Sequence, residues 1–320
     1  FEPGKRLNVC EVDVAEPCAG EVRIEMKAAG ICHTDLSVMT GHLKAPIPGI
    51  LGHEGAGIVV DVGDGVNSVE PGDHVIPLWR LSCGLCEYCS ESRPALCPVG
   101  TEIRASGRLQ DGTSRFSYKG QEILHFAGVS AFSNYTVLPE GSVLKIPKDL
   151  PFELAALLGC SVITGVGSVI NTTNLKPGRT VAVFGVGGVG VNIVQGAVLS
   201  GAKRIIAIDR HDVRLEQVRE FGATDTINGS REDPVESIRN LTEGRGVDFA
   251  FEAVGLPITI QQAYNSLAKR GTAIIVGIPA NSATITLTAL PFAFEERVLT
   301  GSLYGSAVPR NDIPRMIDLY

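Results

Sequence analysis

Four of the eight cysteines fall within fifteen residues, as Cys83-x2-Cys86-x2-Cys89-x7-Cys97. Four thiolates on one loop, with Gly84 easing the chain reversal, suit the tetrahedral coordination of a structural zinc, a closed site with no position left for a substrate. An iron–sulfur cluster uses the same four thiolates, and spacing alone does not exclude it. Disulfides and a redox Cys-x-x-Cys are disfavoured, because the chain reads as cytoplasmic and no helix is expected to follow the loop. A second set is dispersed: Cys32-His33-Thr34-Asp35, then Gly52-His53-Glu54, then Gly159-Cys160. Two thiolates and one imidazole leave a fourth zinc position open to water or substrate, which is a catalytic arrangement. Taken singly, Cys32 and Cys160 read better as small buried hydrophobes and His53 as a turn histidine. Spacing alone does not bring Cys160 to Cys32.

A third motif is suited to a phosphate. Gly185-Val186-Gly187-Gly188-Val189-Gly190 fits G-x-G-x-x-G between an apolar strand, TVAVF, and a helix, VNIVQGAVLSGA. The first glycine allows the turn and the second lets backbone approach a pyrophosphate. The third lets helix and strand pack closely, while the helix N-terminus faces the negative charge. Asp209 closes the next strand nineteen residues after Gly190, where a carboxylate accepts hydrogen bonds from a ribose and repels a 2′-phosphate. NAD is therefore expected over NADP. Arg210 and Arg214 add cations nearby, and Arg214 is placed to cover the adenosine side. The competing reading is an ordinary glycine turn that binds nothing.

These motifs need elements to carry them. From Glu11 to Ile146 short valine-rich runs punctuated by glycine and proline predict an antiparallel β domain. After Pro151, a helical pattern over Phe152–Asn171 leads into alternating strands and helices, the mark of βαβ units. Strands are predicted at Thr180–Phe184, Ile205–Asp209, Asp225–Ile227, Asp248–Glu252, Thr272–Gly277 and Val298–Leu303, six as a doubly wound dinucleotide fold requires. A helix beginning at Asn311 has no place in that fold and is expected to return to the first domain. Three segments result: 1–163, 164–303 and a return segment, 304–320.

The 320 residues, at about 150 per domain, suit two self-supporting cores. With 28 basic and 35 acidic residues the net charge is −7, and no long Lys/Arg run exists, so nucleic acid is not an expected partner. No stretch reaches the roughly 18 uninterrupted apolar residues of a membrane span, and the start lacks a signal-peptide pattern. Neither a membrane nor an export route is expected. Phe1 is no initiator and the last residues stop inside a helical pattern, so both ends read as incomplete.

Gly52-His53-Glu54-Gly55-Ala56-Gly57, followed by Gly63 and Val66, resembles the signature of zinc-containing alcohol dehydrogenases of the medium-chain dehydrogenase/reductase superfamily. The Cys-His-Thr-Asp tetrad at 32–35, the four-cysteine loop, Leu158-Gly159-Cys160 and the glycine loop occur in the family's order. The resemblance implies a GroES-like catalytic domain joined to a Rossmann domain, with cofactor and substrate in the cleft between them. It implies a catalytic zinc on Cys32, His53 and Cys160, with Glu54 close behind and Asp35 orienting His53, and a structural zinc on Cys83, Cys86, Cys89 and Cys97. His33 is implied near the pyrophosphate, Thr164 and Val189 beside the nicotinamide, and Val254 and Val276 among the further cofactor contacts. Leu43, Trp79, Phe126 and Ala127 are implied to line the substrate pocket, each also readable as plain core. A homodimer or homotetramer is implied, with segment 281–303 supplying the edge.

The reaction so implied is hydride transfer between a primary alcohol, aliphatic or aromatic, and NAD, the alcohol's proton leaving through Thr34. Trp79, the only tryptophan, would narrow the site against branched secondary alcohols. Ser37 stands where many relatives carry a relay histidine, so the proton needs another hydroxyl or water. Thr101 stands where the glutathione-dependent formaldehyde dehydrogenase branch carries an arginine, although Arg104 is close. The family's final segment is absent after Tyr320. Two rivals remain: a dehydrogenase of hydroxymethyl thiol adducts, and a zinc-stapled NAD-binding protein without turnover.

Overall fold

In β1 (Glu21–Gly30) Val22 and Ile24 are fully buried while Arg23 and Glu25 are only half-buried, the period of two that sets one strand face on a core. β2 (Glu54–Val62), β3 (His74–Pro77), β4 (Tyr135–Pro139) and β5 (Val143–Lys145) join it in an antiparallel sheet of order β4-β1-β2-β3-β5. Val22, Ile24, Val59, Val75, Leu138 and Val143 form its core. Asp13–Val14, Phe116–Tyr118, Gln121–His125 and Gly49–Ile50 make a smaller, four-stranded sheet.

Helices in this part are short. α1 (His33–Met39) follows β1 directly, and α2 (Pro98–Ser106) starts on Pro98 straight after Cys97. A helix therefore does follow the four-cysteine loop, against expectation, because proline suits the first helical turn. A further single turn, Glu87–Ser90, begins after Cys86. The helical pattern after Pro151 is α3 (Phe152–Leu157), a π-helical turn over Leu158–Val162, and α4 (Ile163–Ile170). This stretch, Phe152–Ile170, is the one helical run among the described residues long and apolar enough to cross a bilayer, with mean hydropathy 1.8, and 67% of it is buried inside the protein.

β6 (Thr180–Phe184), β7 (Arg204–Asp209), β8 (Asp225–Asn228), β9 (Val247–Glu252), β10 (Leu267–Ile275) and β11 (Val298–Gly301) form an all-parallel sheet of order β8-β7-β6-β9-β10-β11. This is the doubly wound order that the strand pattern predicts. β6 is buried along its whole length, Val181 and Val183 facing one core and Ala182 and Phe184 the other, as an apolar run covered on both faces must be. β10 starts five residues earlier than predicted, because the charged pair Lys269-Arg270 hides the pairing of Leu267 with Val247 across a bulge. α5 (Gly188–Leu199) follows β6, and α6 (Pro257–Asn265) follows β9. α7 (Pro309–Asp318) ends the chain.

The computed structural model describes residues 1, 3–4 and 6–320. Two compact units result, one built from residues 1–160 with 308–320, the other from residues 161–307. Within the first, Arg310 Nη2 on α7 donates to the carbonyls of Glu140 and Gly141, both at 3.3 Å.

Candidate metal centres and dinucleotide site

Cys32 sits at the N-terminus of α1, and Asp35 in the first turn ties the region together. Asp35 Oδ2 accepts from the Cys32 backbone N–H at 3.1 Å. Its Oδ1 accepts from the Gly52 N–H at 3.1 Å and lies 3.3 Å from His53 Nδ1. Asp35 is 1% exposed, so these bonds are shielded from water and fix both backbone segments at once. Gly52 has φ +91°, and a Cβ there would lie 2.6 Å from the Phe132 backbone nitrogen. Only glycine delivers His53 at this angle. Glu54 opens β2, and Gly30 leaves the space its carboxylate fills. Cys160 lies in the π-helical turn, a device common at functional sites because it re-aims one side chain.

The fold brings the ligand atoms of Cys32, His53, Glu54 and Cys160 within 4.8 Å of one another, three of the four residues being buried. The electrostatics are those of a cation site. The Cys32 thiol is brought down to about 3, first by its hydrogen bond with Cys160 and against the opposing effect of burial. Burial disfavours a charged His53, but its bonds to Asp35 and Cys32 outweigh that and raise it to about 10. Glu54 is pushed up to about 7 by burial and the nearby Cys32 charge. Cys160 is pushed well above the usual thiol value by its bond to Cys32 and by burial. Two thiolates and an imidazole are soft and borderline donors, so the set fits zinc, with the Glu54 carboxylate in reach of the fourth position.

Rings surround this cluster. Phe126 and Trp79 meet His53 edge-on at 5.7 and 6.2 Å between centroids. Leu43 and Ala127 belong to the same apolar cluster, with Val38, Leu51 and Phe132. Leu51 and Phe132 escaped sequence reasoning, since nothing in linear spacing marks them. Thr34 Oγ1 lies 3.6 Å from Cys32 Sγ, whereas His33 is exposed. Thr101 accepts from Arg80 Nη2 at 3.3 Å, and exposed Arg104 follows one turn later on α2.

The four-cysteine loop also closes. Cys83, Cys86, Cys89 and Cys97 place their sulfurs within 4.8 Å of one another. Backbone N–H groups point at them: Cys83 N–H donates to Cys97 Sγ and Cys86 N–H to Cys83 Sγ, both at 3.4 Å. N–H donors from Leu85 and Cys86 bring Cys83 down to about 6, while burial pushes Cys89 up to about 12. Cys86 and Cys89 Sγ are 3.5 Å apart, too far for a disulfide. Four thiolates in this arrangement fit a second zinc.

In the other unit the glycine loop joins β6 to α5. Gly185 has φ +86°, and a Cβ on Gly190 would lie 1.9 Å from the Gly185 carbonyl oxygen. The Gly187-Gly188 step opens α5, whose N-terminal N–H groups make an anion seat. Asp209 is 9% exposed. Its Oδ2 accepts from the Val186 N–H at 3.0 Å, and its Oδ1 from Arg210 and His211 N–H at 2.8 and 3.0 Å. Arg214 pairs with it at 3.7 Å, over an exposed edge. Thr164 lies on α4, which packs on α5 so closely that a Cβ on Gly165 would meet the Val189 carbonyl at 2.5 Å. Val254 is part-exposed beyond β9, and Val276 is 8% exposed beyond β10. The loop, Asp209 and a helix N-terminus thus meet at one end of the sheet, as a dinucleotide requires.

Known proteins agree with this chemistry. The alcohol dehydrogenase GroES-like domain matches residues 18–148, and the zinc-binding dehydrogenase family matches residues 188–320. S-(hydroxymethyl)glutathione dehydrogenase of Escherichia coli O1:K1 / APEC is 43% identical over 99% of this chain and 87% of its own length. Among solved structures, an alcohol dehydrogenase zinc-binding domain protein from Burkholderia ambifaria aligns with TM-score 0.94 and 35% identity, covering 99% of this chain and 86% of that one. Benzyl alcohol dehydrogenase from Acinetobacter calcoaceticus aligns with TM-score 0.91 and 33% identity, covering 97% and 84%. The fold is a GroES-like domain with a Rossmann domain, and the chemistry is that of a zinc- and NAD-dependent oxidoreductase. The chain belongs to the zinc-containing alcohol dehydrogenases of the medium-chain superfamily.

Proposed function

We propose that the protein oxidises a primary alcohol, aliphatic or aromatic, to its aldehyde, with Cys32, His53 and Cys160 as catalytic zinc ligands and Cys83, Cys86, Cys89 and Cys97 as structural ones. The observation that carries this reading is the apolar rim, with Trp79 and Phe126 edge-on to His53 and Leu43 and Ala127 beside them. Such a rim suits an alkyl or benzyl group. Zinc bound at the first site supplies the Lewis acidity that takes a water hydroxyl from a pKa of about 16 to about 7. The chain's own residues do the rest. Asp35 holds His53 and the Cys32 backbone in one orientation. Thr34 relays the alcohol's proton toward another hydroxyl or water. The glycine loop and Asp209 would hold NAD, with Arg214 covering the adenosine side, and NAD so held would supply the acceptor for hydride from the carbinol carbon.

The relatives named for S-(hydroxymethyl)glutathione favour a second reading. Arg104, one turn from Thr101, is the cation such an adduct would use. NADH production from benzyl alcohol and hexanol separates the two: turnover without added thiol supports the first reading, and turnover only with formaldehyde and glutathione overturns it. The working location is the cytoplasm, and the state a homodimer or homotetramer. The edge strand β11 and exposed Leu290, Phe294 and Val298 support a second copy at segment 281–303. Light scattering of a monomer at working concentration would remove that assignment.

A further inference from the structure

Glu252 ends β9 and is 1% exposed. One oxygen, Oε1, accepts three hydrogen bonds: from the N–H groups of Val254 (2.9 Å) and Gly255 (2.8 Å) and from the Thr259 hydroxyl on α6 (2.7 Å). The other, Oε2, is buried without a hydrogen-bond partner. Burial raises this carboxyl above its ordinary value, against the lowering by the Thr259 hydroxyl and the backbone N–H groups of Gly255, Val254 and Leu256. A buried acid with a bare oxygen is destabilising by itself, so what it holds must matter.

It holds the turn 253–255. Ala253 N–H bonds the Phe184 carbonyl at 2.9 Å, and the Glu252 carbonyl accepts from Val276 and Gly277 N–H, both at 2.8 Å. Val254 leans on the phosphate loop so tightly that a Cβ on Gly185 would sit 2.5 Å from Val254 Cγ2. β6 and β9 are neighbours at the point where the strand order reverses, and a dinucleotide crosses such a sheet there. Asp209 on β7 marks the adenosine side. A dinucleotide seated on the glycine loop would run its other half toward the ends of β9 and β10, where the Val254 turn and Val276 lie.

We propose that Glu252 is a positioning residue for the nicotinamide half of NAD, bracing the Val254 turn against Gly185. The inference rests on the NAD-binding reading above. It separates Glu252 from a merely structural residue, because the loss on its removal falls on one half of the cofactor.

The test is calorimetric titration of the zinc-loaded protein with NAD and, separately, with AMP, which has only the adenosine end. Glu252→Ala raises the Kd for NAD about tenfold while the Kd for AMP stays within about twofold. Glu252→Gln, which keeps the accepting oxygen, restores most of the NAD affinity. Thr259→Val, which removes one donor and leaves the acid, weakens NAD about threefold with AMP unchanged. Equal losses of AMP and NAD in Glu252→Ala, or unaltered NAD binding in both Glu252→Ala and Thr259→Val, overturn the proposal. Wild-type protein that binds neither ligand removes the NAD reading itself, a different failure.

Discussion

The two cysteine clusters are built in opposite ways. Cys83, Cys86, Cys89 and Cys97 come from one loop with little core of its own; Cys97 is buried, but Leu85 is 91% exposed. Cys32, His53 and Cys160 come from a helix N-terminus, a strand entrance and a π-helical turn, spread over more than a hundred residues and sunk in the protein. The first site depends on its ion for order, since ligand binding is what folds such a loop. The second depends on its fold for ligands. Position in the chain therefore says which of the two a perturbation should unfold and which it should only silence.

Cys89→Ser makes the largest expected change. It removes one donor from a site that supplies on the order of 10 kcal/mol of ordering. One zinc per chain should be lost, with a large fall in the thermal midpoint. Cys160→Ala should instead lower turnover by roughly 10³-fold or more, with NAD binding kept and the melt moved little. If Cys160→Ala unfolds the protein and Cys89→Ser merely slows it, the comparison is broken. Asp35→Asn sharpens it: losing an orienting carboxylate should weaken zinc at the dispersed site about 10- to 100-fold. Competition with a chelator should then release one zinc early and leave the other unaffected.

The smallest effect separates metal from fold. His125 is fully buried, and burial, with Arg115 nearby, lowers its pKa to about 3. Because the folded value lies below the unfolded one of about 6.5, stability is complete above that pH and declines as pH falls toward 3. At pH 5 the loss is about 2 kcal/mol. Urea melts at pH 7.5 and 5 should show the gap between wild type and His125→Gln narrowing by that amount, with both zincs still bound. A gap that does not change would mean that His125 takes up its proton in the folded protein as readily as in the unfolded chain.

The same contrast explains what could be read from residues alone. The four-cysteine loop was legible because its ligands share one stretch of chain, and the parallel strands because apolar runs such as TVAVF are buried on both faces. Cys160 was not legible as a neighbour of Cys32, since only the folded β domain brings them together. Nor was the π-helical turn, because one extra residue leaves apolar periodicity almost unchanged over so short a run. The start of β10 was lost to a bulge beside two charged residues. Glu252 did leave a signal, a charge closing an apolar strand, but linear spacing does not show that one of its oxygens is bare.

The π-helical turn at Leu158–Val162 also has an evolutionary side. It is one residue more than a regular helix needs. Deleting Leu158 or Gly159 would leave a smoother helix and turn the Cys160 sulfur about 100° around the axis of α3, away from Cys32 and His53. A screen that rewarded thermal stability alone could therefore select the deletion and discard the enzyme, whereas selection for turnover must keep a helix that is less regular than its sequence allows.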